Sequence, residues 1–265
     1  MTKQSMTKQS FCKAVSGLVL AGLLSATLVA QTTAANRNDS PLQNKITRKF
    51  ASKKQFQDVK ANVEGGTVTL TGTVDLYQRK LDAAKLARKI SGVQAVHDEI
   101  MVAGPNLSDE QLGQKLSRKL TYVRSGYDST FDYFALNVKD GVVVVQGADR
   151  TGVGRQEALG EIYNTPGVKD VVDNISVEPA SPMDDGLRLR AARVIYHDPV
   201  LSKYAMDPAQ PIRIIVENGH ITLYGTVINA MDKTIAGIRA NQLPGAFTVQ
   251  NNLIVVDGKS GQQGM

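Results

Sequence analysis

Apolar and polar residues alternate in three separate stretches of the chain, and a second apolar run follows each of them. The alternating positions are Val59, Ala61 and Val63, then Phe134, Leu136 and Val138, then Ile212, Ile214 and Val216. A period of two with β-branched residues is typical of a half-buried strand. Gly-Gly, Asp-Gly or Asn-Gly separates each pair of runs, and such pairs suit the positive φ angles of tight turns. The pattern therefore predicts three β-hairpins.

The glycines around these hairpins keep one spacing. In each copy a second glycine follows the turn glycine after six residues, and a third follows 20 residues later. The three sets are Gly66, Gly72 and Gly92; Gly141, Gly147 and Gly167; and Gly219, Gly225 and Gly245. A spacing kept three times without a gap predicts an internal repeat in which these glycines have structural roles.

Apolar residues four apart predict two helices in each copy. The helix before the hairpin carries Leu42, Ile46 and Phe50 in the first copy, Leu112, Leu116 and Leu120 in the second, and Leu187, Ala191 and Ile195 in the third. The helix after the hairpin carries small residues such as Ala83 and Ala87, which let it lie close to a sheet. Gly92, Gly167 and Gly245 are predicted to end this second helix as C-terminal caps, with a third strand beyond.

The order of elements predicts an α+β protein of three tandem αββαβ units. Each unit is expected to be a small three-stranded mixed sheet covered by two helices. The predicted boundaries are 40–104, 108–179 and 181–257. Residues 258–265 are predicted to be a disordered tail.

The first 35 residues have the pattern of a secretory signal peptide. Three lysines precede an apolar run from Leu18 to Ala30, and no acidic residue occurs. The run is shorter than the roughly 20 residues of a membrane span, although a retained anchor helix is the alternative. Cleavage after Ala30 or Ala35 is compatible with the pattern, as is a start at Met1 or Met6. We therefore expect a periplasmic protein, free or peripheral to the inner or outer membrane, with no membrane span in the mature chain.

The single cysteine, Cys12, precedes the apolar run, whereas a lipoprotein cysteine would follow it. The mature chain therefore has no cysteine, which excludes disulfides and thiolate sites.

A family resemblance rests on the glycine motifs. The pattern V-x-x-G-x-(V/I)-x-L-x-G-x-V, followed after a helix by G-V-x-x-V-x-(D/N)-x-I-x-V, resembles the BON domain family of bacterial envelope proteins. It occurs at Val63–Val74 with Gly92–Val102, and again at Val216–Val227. The second copy departs from it at Gln146 and Ala148, and the third has Ala246-Phe247 at the Gly-Val step.

The resemblance covers three tandem copies in an exported bacterial protein. It implies modules that contact phospholipid surfaces or other envelope proteins, often under osmotic or envelope stress, and it supplies no catalytic residue.

Charge is uneven along the chain. The whole sequence has a net charge of +6, and loss of residues 1–35 lowers it to +3. The first unit holds the excess of basic residues. Its first helix and the turn after it contain the hypothetical lipid-binding residues Lys45, Arg48, Lys49, Lys53 and Lys54. A cation close to an anionic membrane contributes about 1 kcal/mol to binding.

Two alternatives remain open. The basic face can be an ordinary solvated helix surface. The protein can instead be a periplasmic chaperone or scaffold that binds other envelope proteins through open sheet edges.

The sequence contains no convincing catalytic, metal or cofactor motif. His97, His197 and His220 are isolated, without the spacing of metal ligands. The acidic pairs that begin at Asp109 and Asp184 lie in predicted first helical turns, where carboxylates favour the helix dipole. We therefore expect a binding protein and no enzyme. Nucleic acid is not an expected partner, because aromatic and basic residues are not interleaved.

Overall fold

A computed structural model of the chain describes residues 39–123, 130–206 and 212–256. Within these ranges the fold is α+β, with six α-helices and small mixed sheets. The predicted signal peptide, 1–35, and the predicted tail, 258–265, lie outside the described residues.

In the first predicted unit the third strand is divided in two. The elements are α1 (Asp39–Ala51), a 3-10 turn (Lys54–Phe56), β1 (Val59–Glu64), β2 (Thr67–Val74), α2 (Tyr77–Arg88), β3 (Ala95–Asp98) and β4 (Met101–Val102). Strand β1 pairs antiparallel with β2, while β3 and β4 both run parallel to β2. The break follows Asp98, whose Oδ1 accepts a hydrogen bond of 3.1 Å from the Ile100 N–H.

The second predicted unit has an unbroken third strand. Its elements are α3 (Asp109–Val123), β5 (Tyr133–Lys139), β6 (Val142–Asp149), α4 (Val153–Tyr163) and β7 (Asp170–Val177). The strand order is β5-β6-β7, with β5 antiparallel and β7 parallel to β6. Ser108 and Gln111 form a capping box at the start of α3, because Ser108 Oγ accepts from Gln111 N–H at 3.2 Å while Gln111 Oε1 accepts from Ser108 N–H at 3.1 Å.

The third predicted unit differs from the predicted single sheet. Its elements are α5 (Pro182–Tyr196), a 3-10 turn (Ser202–Ala205), β8 (Arg213–Glu217), β9 (His220–Tyr224), β10 (Thr226–Val227), α6 (Ala230–Asn241), β11 (Thr248–Asn251) and β12 (Ile254–Val255). One sheet has the order β11-β9-β8, and β10 pairs with β12 in a separate short ribbon. The interruption on one strand lies after Asn251, whose Oδ1 accepts from Leu253 N–H at 3.3 Å.

The predicted helix stripes pack into three apolar cores. Ile46, Leu112 and Leu116 are fully buried, as are Ala191 and Ile195. The small residues of the second helices, Ala83, Ala87, Ala158 and their counterparts in α6, are also inaccessible to solvent. Close packing of these residues fixes each helix pair against its sheet.

The glycines of the hairpins and second strands are in places where a side chain is costly. The turn glycine Gly66 has φ of +78°, a conformation that glycine adopts without strain. A Cβ on Gly72 would lie 2.0 Å from the Asp58 carbonyl oxygen, and one on Gly147 would lie 1.8 Å from the Tyr133 oxygen. These second glycines therefore let the first strand of the hairpin cross close over the second.

The prediction that the third glycines are helix C-caps is wrong. Helix α2 ends at the C-cap Lys89, and α4 and α6 end at Asn164 and Gln242. Gly92 comes three residues after its cap, with φ of +104°, and Gly167 and Gly245 are placed alike with φ of +103° and +91°. They shape the turn that leads from the helix into the parallel strand, because that turn needs a left-handed residue.

An aspartate at the start of each first helix holds the hairpin turn. Asp39 accepts hydrogen bonds from the Gly65 and Gly66 N–H groups at 2.8 and 3.1 Å. Asp109 does the same for residues 140 and 141, at 2.8 and 3.0 Å. Asp184 accepts from residues 218 and 219, at 3.0 and 2.8 Å. Each carboxylate thus joins its helix to its sheet through two backbone donors.

Contacts join the first predicted unit to the second. A Cβ on Gly104 would lie 2.8 Å from Gly167 N, so the linker lies directly on the turn after α4. The rings of Tyr77 and Tyr163 are 5.3 Å apart. Tyr77 packs in the core of the second unit, where burial and a hydrogen bond with Asp170 raise its pKa well above the usual value.

Contacts of another kind join the second predicted unit to the third. Phe131, which precedes β5, is buried in the core built from α5 and α6. The rings of Tyr133 and Tyr224 stack at 4.1 Å with an angle of 6°. Glu178, at the end of the second unit, pairs with Arg188 of α5, and both side chains are only 3% exposed.

Candidate functional site

Helix α1 divides into an apolar face and a basic face. Leu42, Ile46 and Phe50 are buried against the sheet. Since residues three and four apart share a face, the intervening Lys45, Arg48 and Lys49 point to solvent, and all three are exposed. Arg48 and Lys49 also lie in the last turn of α1, where cations interact favourably with the helix dipole.

Three of the five predicted lipid-binding residues come together in one shallow depression. Lys45, Arg48 and Lys49 line a hollow of about 360 Å³. Pro41, Asn44 and Ser52 complete its rim. The other two cations lie just beyond the helix, where Lys54 is exposed and Lys53 is half-buried.

No acidic side chain of the described residues neutralises the five cations. Within the described ranges, no salt bridge involves Lys45, Arg48, Lys49, Lys53 or Lys54. By contrast, Arg79 of α2 pairs with Asp75 at 2.8 Å. The face of α1 is therefore a surface of uncompensated positive charge that can attract an anionic partner.

A second hollow lies at the amino end of α1. It has a volume of about 420 Å³ and is lined by Asp39, Pro41, Leu42, Lys45, Gly66, Ser91, Gly92 and Gln94. Lys45 borders both this hollow and the shallower depression. Because Asp39 is occupied by the hairpin N–H groups, the lysine is the charged group that remains available there.

The strongest electrostatic perturbation lies elsewhere, between the second and third predicted units. Burial raises the pKa of Glu178 to about 7, and the charges of Glu217 and Asp132 act in the same direction against the attraction of Arg188. Arg188 also donates to the Val216 carbonyl and to Asp185. Glu178 Oε1 and Arg188 Nε lack a hydrogen-bond partner among the residues described. This pair is not predictable from the sequence, because nothing in the spacing of the two residues indicates burial.

The acidic pairs singled out in the sequence are structural. Burial opposes ionisation of Asp184, but the hydrogen bonds from Gly219, Asn218 and Ser181 outweigh it, and its pKa lies below the usual range. The prediction that these acids serve the helix dipole therefore captured only part of their role. Their common position, three residues before Leu42, Leu112 or Leu187, was the available signal.

The histidines remain separate from one another. His97 and His197 are exposed, and His220 Nδ1 is 2.6 Å from Thr248 Oγ1. In the part of the chain that the structure describes, no group of three potential metal-binding side chains occurs. No helix there is long and apolar enough to cross a membrane.

Comparison with protein families gives a match to the BON domain in two regions, residues 38–104 and 200–257. The first region contains the basic face of α1 and its whole sheet, and the second contains β8 to β12 with α6. No curated protein matches the chain significantly.

Solved structures give distant similarities. One is CdsD, a structural protein of the type III secretion system of Chlamydia trachomatis, with 14% identity over 84% of this chain and 94% of that chain and a TM-score of 0.24. Another is the periplasmic domain of the type III secretion inner membrane protein PrgH from S. typhimurium, with 11% identity over 77% and 95% and a TM-score of 0.17. At such scores the similarity is too low to support an argument about function.

Proposed function

We propose that this chain is an exported BON protein of three tandem domains that associates with anionic phospholipid at the membrane periphery of the periplasm, in envelope maintenance or osmotic stress. The observation that carries the proposal is the unpaired basic face of α1 in the first unit. The leader pattern of residues 1–35 supports export, and the BON match at both ends of the chain supports a repeated domain. The middle unit is assigned as a third copy because its glycines and its aspartate anchor match the other two.

The charge of α1 favours peripheral binding to an anionic surface. At about 1 kcal/mol for each cation near an anionic surface, Lys45, Arg48 and Lys49 together contribute about 3 kcal/mol at low ionic strength. Lys53 and Lys54 extend the same charge beyond the helix. Because the Debye length is about 8 Å at physiological salt, this attraction acts only when the helix lies against the headgroups, and salt should weaken it.

The role is one of binding, without catalysis. Among the described residues, each carboxyl group with a perturbed pKa has a structural partner: Asp184 holds a hairpin turn, Glu178 and Asp198 pair with arginine, and Asp232 pairs with Lys203. The three histidines there are isolated from one another. The proposal therefore assigns the first unit to the membrane and leaves the other two units free for additional contacts.

Co-sedimentation with phosphatidylglycerol vesicles tests the proposal. The full mature chain is expected to bind at low salt and to be released as salt is raised. Substitution of Lys45, Arg48 and Lys49 by glutamate should abolish sedimentation. The matched control replaces Arg118, Lys139 and Lys169 by glutamate, since these are three exposed cations of the second unit and give the same change in net charge. Absence of binding at low salt, or equal loss in both variants, would contradict the proposal.

A further inference from the structure

The third unit contains a groove at the same place as the hollow at the amino end of α1. Its volume is about 330 Å³, and its lining includes Leu187 and Arg190 of α5, Gly219 of the hairpin turn and Gly245 after α6. These residues correspond in spacing to Leu42, Lys45, Gly66 and Gly92 of the first unit. We call the hollow of the third unit the α5 groove.

The corresponding place in the second unit is filled by the chain itself. There the residues equivalent to Leu187 and Gly245 are Leu112 and Gly167. The Leu107 side chain comes within 3.2 Å of where a Cβ of Gly167 would lie, and Leu112 comes within 3.6 Å of the same point. Leu107 packs against the core of this unit, and Gly104 lies against the Gly167 backbone. An extended segment with one leucine thus occupies the groove of the second unit.

None of the described residues fills the groove of the third unit, because the first helix of that unit starts earlier. Helix α3 begins at the anchor Asp109, so the linker before it is free to lie across Gly167. Helix α5 begins at Pro182, two residues before the anchor Asp184. The residues of the third unit that correspond to the end of the linker before α3 are therefore part of the helix. Glu178, farther back, is held by Arg188. Around the Cβ position of Gly245, the described residues place only Arg190 Nη2, at 3.5 Å.

Two large apolar side chains at the α5 groove are exposed. Met183 is 73% and Phe247 is 70% accessible, and both belong to the lining. Phe247 stands where the first unit has Gln94, so the groove of the third unit is the more apolar of the two. Contact with an aliphatic side chain would remove this apolar surface from water.

We infer that the α5 groove binds an extended peptide segment of another protein that presents a leucine side chain between Leu187 and Gly245, as residues 104–107 present Leu107 between Leu112 and Gly167. The partner is therefore an unfolded or linker segment with an exposed leucine. This inference is independent of the proposed membrane role, because it concerns the third unit and needs no lipid.

The test is a titration of the isotopically labelled full mature chain with a synthetic peptide of residues 102–108, followed by amide NMR signals. We expect the signals of Gly219, Gly245 and Phe247 to shift, with a Kd of about 1–10 mM, because the burial of one leucine side chain supports only weak binding. The same peptide carrying Leu107→Asp should bind at least tenfold more weakly. Unshifted groove signals, or equal binding of the two peptides, would overturn the inference.

Variants of exposed residues distinguish specific binding in the groove from non-specific hydrophobic binding of the peptide. Met183→Glu and Phe247→Glu should weaken binding of the peptide at least fivefold without unfolding the protein, because both side chains point to solvent. Met231→Glu, at a residue 66% exposed on α6, is the matched control and should bind as the parent protein does. Equal effects of all three substitutions contradict the inference.

If phosphatidylglycerol micelles shift the groove signals and the peptide does not, the groove is a lipid site and the inference is wrong. Vesicle binding should be unchanged in the groove variants, so failure of the peptide inference would not affect the membrane proposal.

Discussion

The aspartate anchor between helix and hairpin allows a quantitative prediction. Asp184→Ala removes the acceptor of two backbone hydrogen bonds, from Asn218 at 3.0 Å and from Gly219 at 2.8 Å. A hydrogen bond to a charged group contributes about 1.5–3 kcal/mol. Asn218 is exposed, so its N–H can bind water in the variant, whereas Gly219 is buried and its N–H is left without an acceptor. We expect a loss of about 3 kcal/mol in the free energy of unfolding.

The loss should appear both globally and locally. Urea denaturation followed by circular dichroism measures the change in unfolding free energy, and hydrogen exchange at the Gly219 amide reports the anchor itself. Asp184→Asn should destabilise less than the alanine variant, because its amide oxygen can still accept from the buried Gly219 N–H while its NH2 faces the exposed Asn218 N–H. Asp82→Ala is the control, since Asp82 is exposed on α2 and bonds only to Gln78 among the described residues. It should change stability by less than about 0.5 kcal/mol.

The same anchor predicts a dependence on pH. The folded pKa of Asp184 lies below its unfolded value of about 3.9, so the folded state binds fewer protons near pH 4. Its contribution is therefore present above about pH 4 and lost as the pH falls through the folded pKa. The reasoning is refuted if Asp184→Ala costs less than about 1 kcal/mol at pH 7, or if Asp184→Asn leaves the acid dependence unchanged.

Three further predictions concern glycines and the buried pair. Gly147→Ala should destabilise the protein by more than about 3 kcal/mol in urea denaturation, because the new Cβ would collide with the Tyr133 carbonyl. Gly160→Ala in helix α4 should instead stabilise the protein by about 0.5–1 kcal/mol, because no described atom lies within 4 Å of the new Cβ. Gly104→Ala should lower the melting temperature and raise the rate of proteolysis between the first two units, because its Cβ would lie 2.8 Å from Gly167 N. An unchanged rate of proteolysis would count against that contact. The raised pKa of Glu178, about 7, means that the folded state binds more protons than the unfolded state between about pH 4.5 and 7, so stability should fall by about 3 kcal/mol over that range. Glu178→Gln should flatten this fall, and an identical pH profile would contradict the assignment.

The sequence predicts best what short-range chemistry determines. Asn218-Gly219 and Asp140-Gly141 adopt positive φ at both turn residues, as such pairs do in hairpins, and the helix start at Ser108 follows its capping box. The glycines after the second helices were placed correctly but given the wrong role, because the helix ends at a residue that has no special signal. The broken third strands were also missed, since an Asx turn after Asp98 looks the same in sequence as any strand position.

Contacts between distant residues could not be predicted. The anchor joins Asp39 to Gly65, and no local pattern indicates which turn an aspartate will reach. The burial of Arg188 and the position of Leu107 over Gly167 depend on how two units meet, which the linker composition does not determine. The basic face of α1, by contrast, follows directly from helical periodicity, so Lys45, Arg48 and Lys49 lie on one surface of the helix as predicted.

The position of Phe131 bears on how the molecule unfolds. Its chain neighbours belong to the second sheet, yet its ring is part of the core of α5 and α6. A fragment that starts at residue 181 would lack this ring and would keep Asp185 but not Glu178 as a partner of Arg188, so it would begin with both a cavity and a buried charge that has lost one of its two carboxylates. The last two units should therefore melt as a single cooperative block. Among the described residues, the first unit contributes to that block mainly Tyr77, Leu81, Val102 and the linker, so under load or heat it should be the part that separates first.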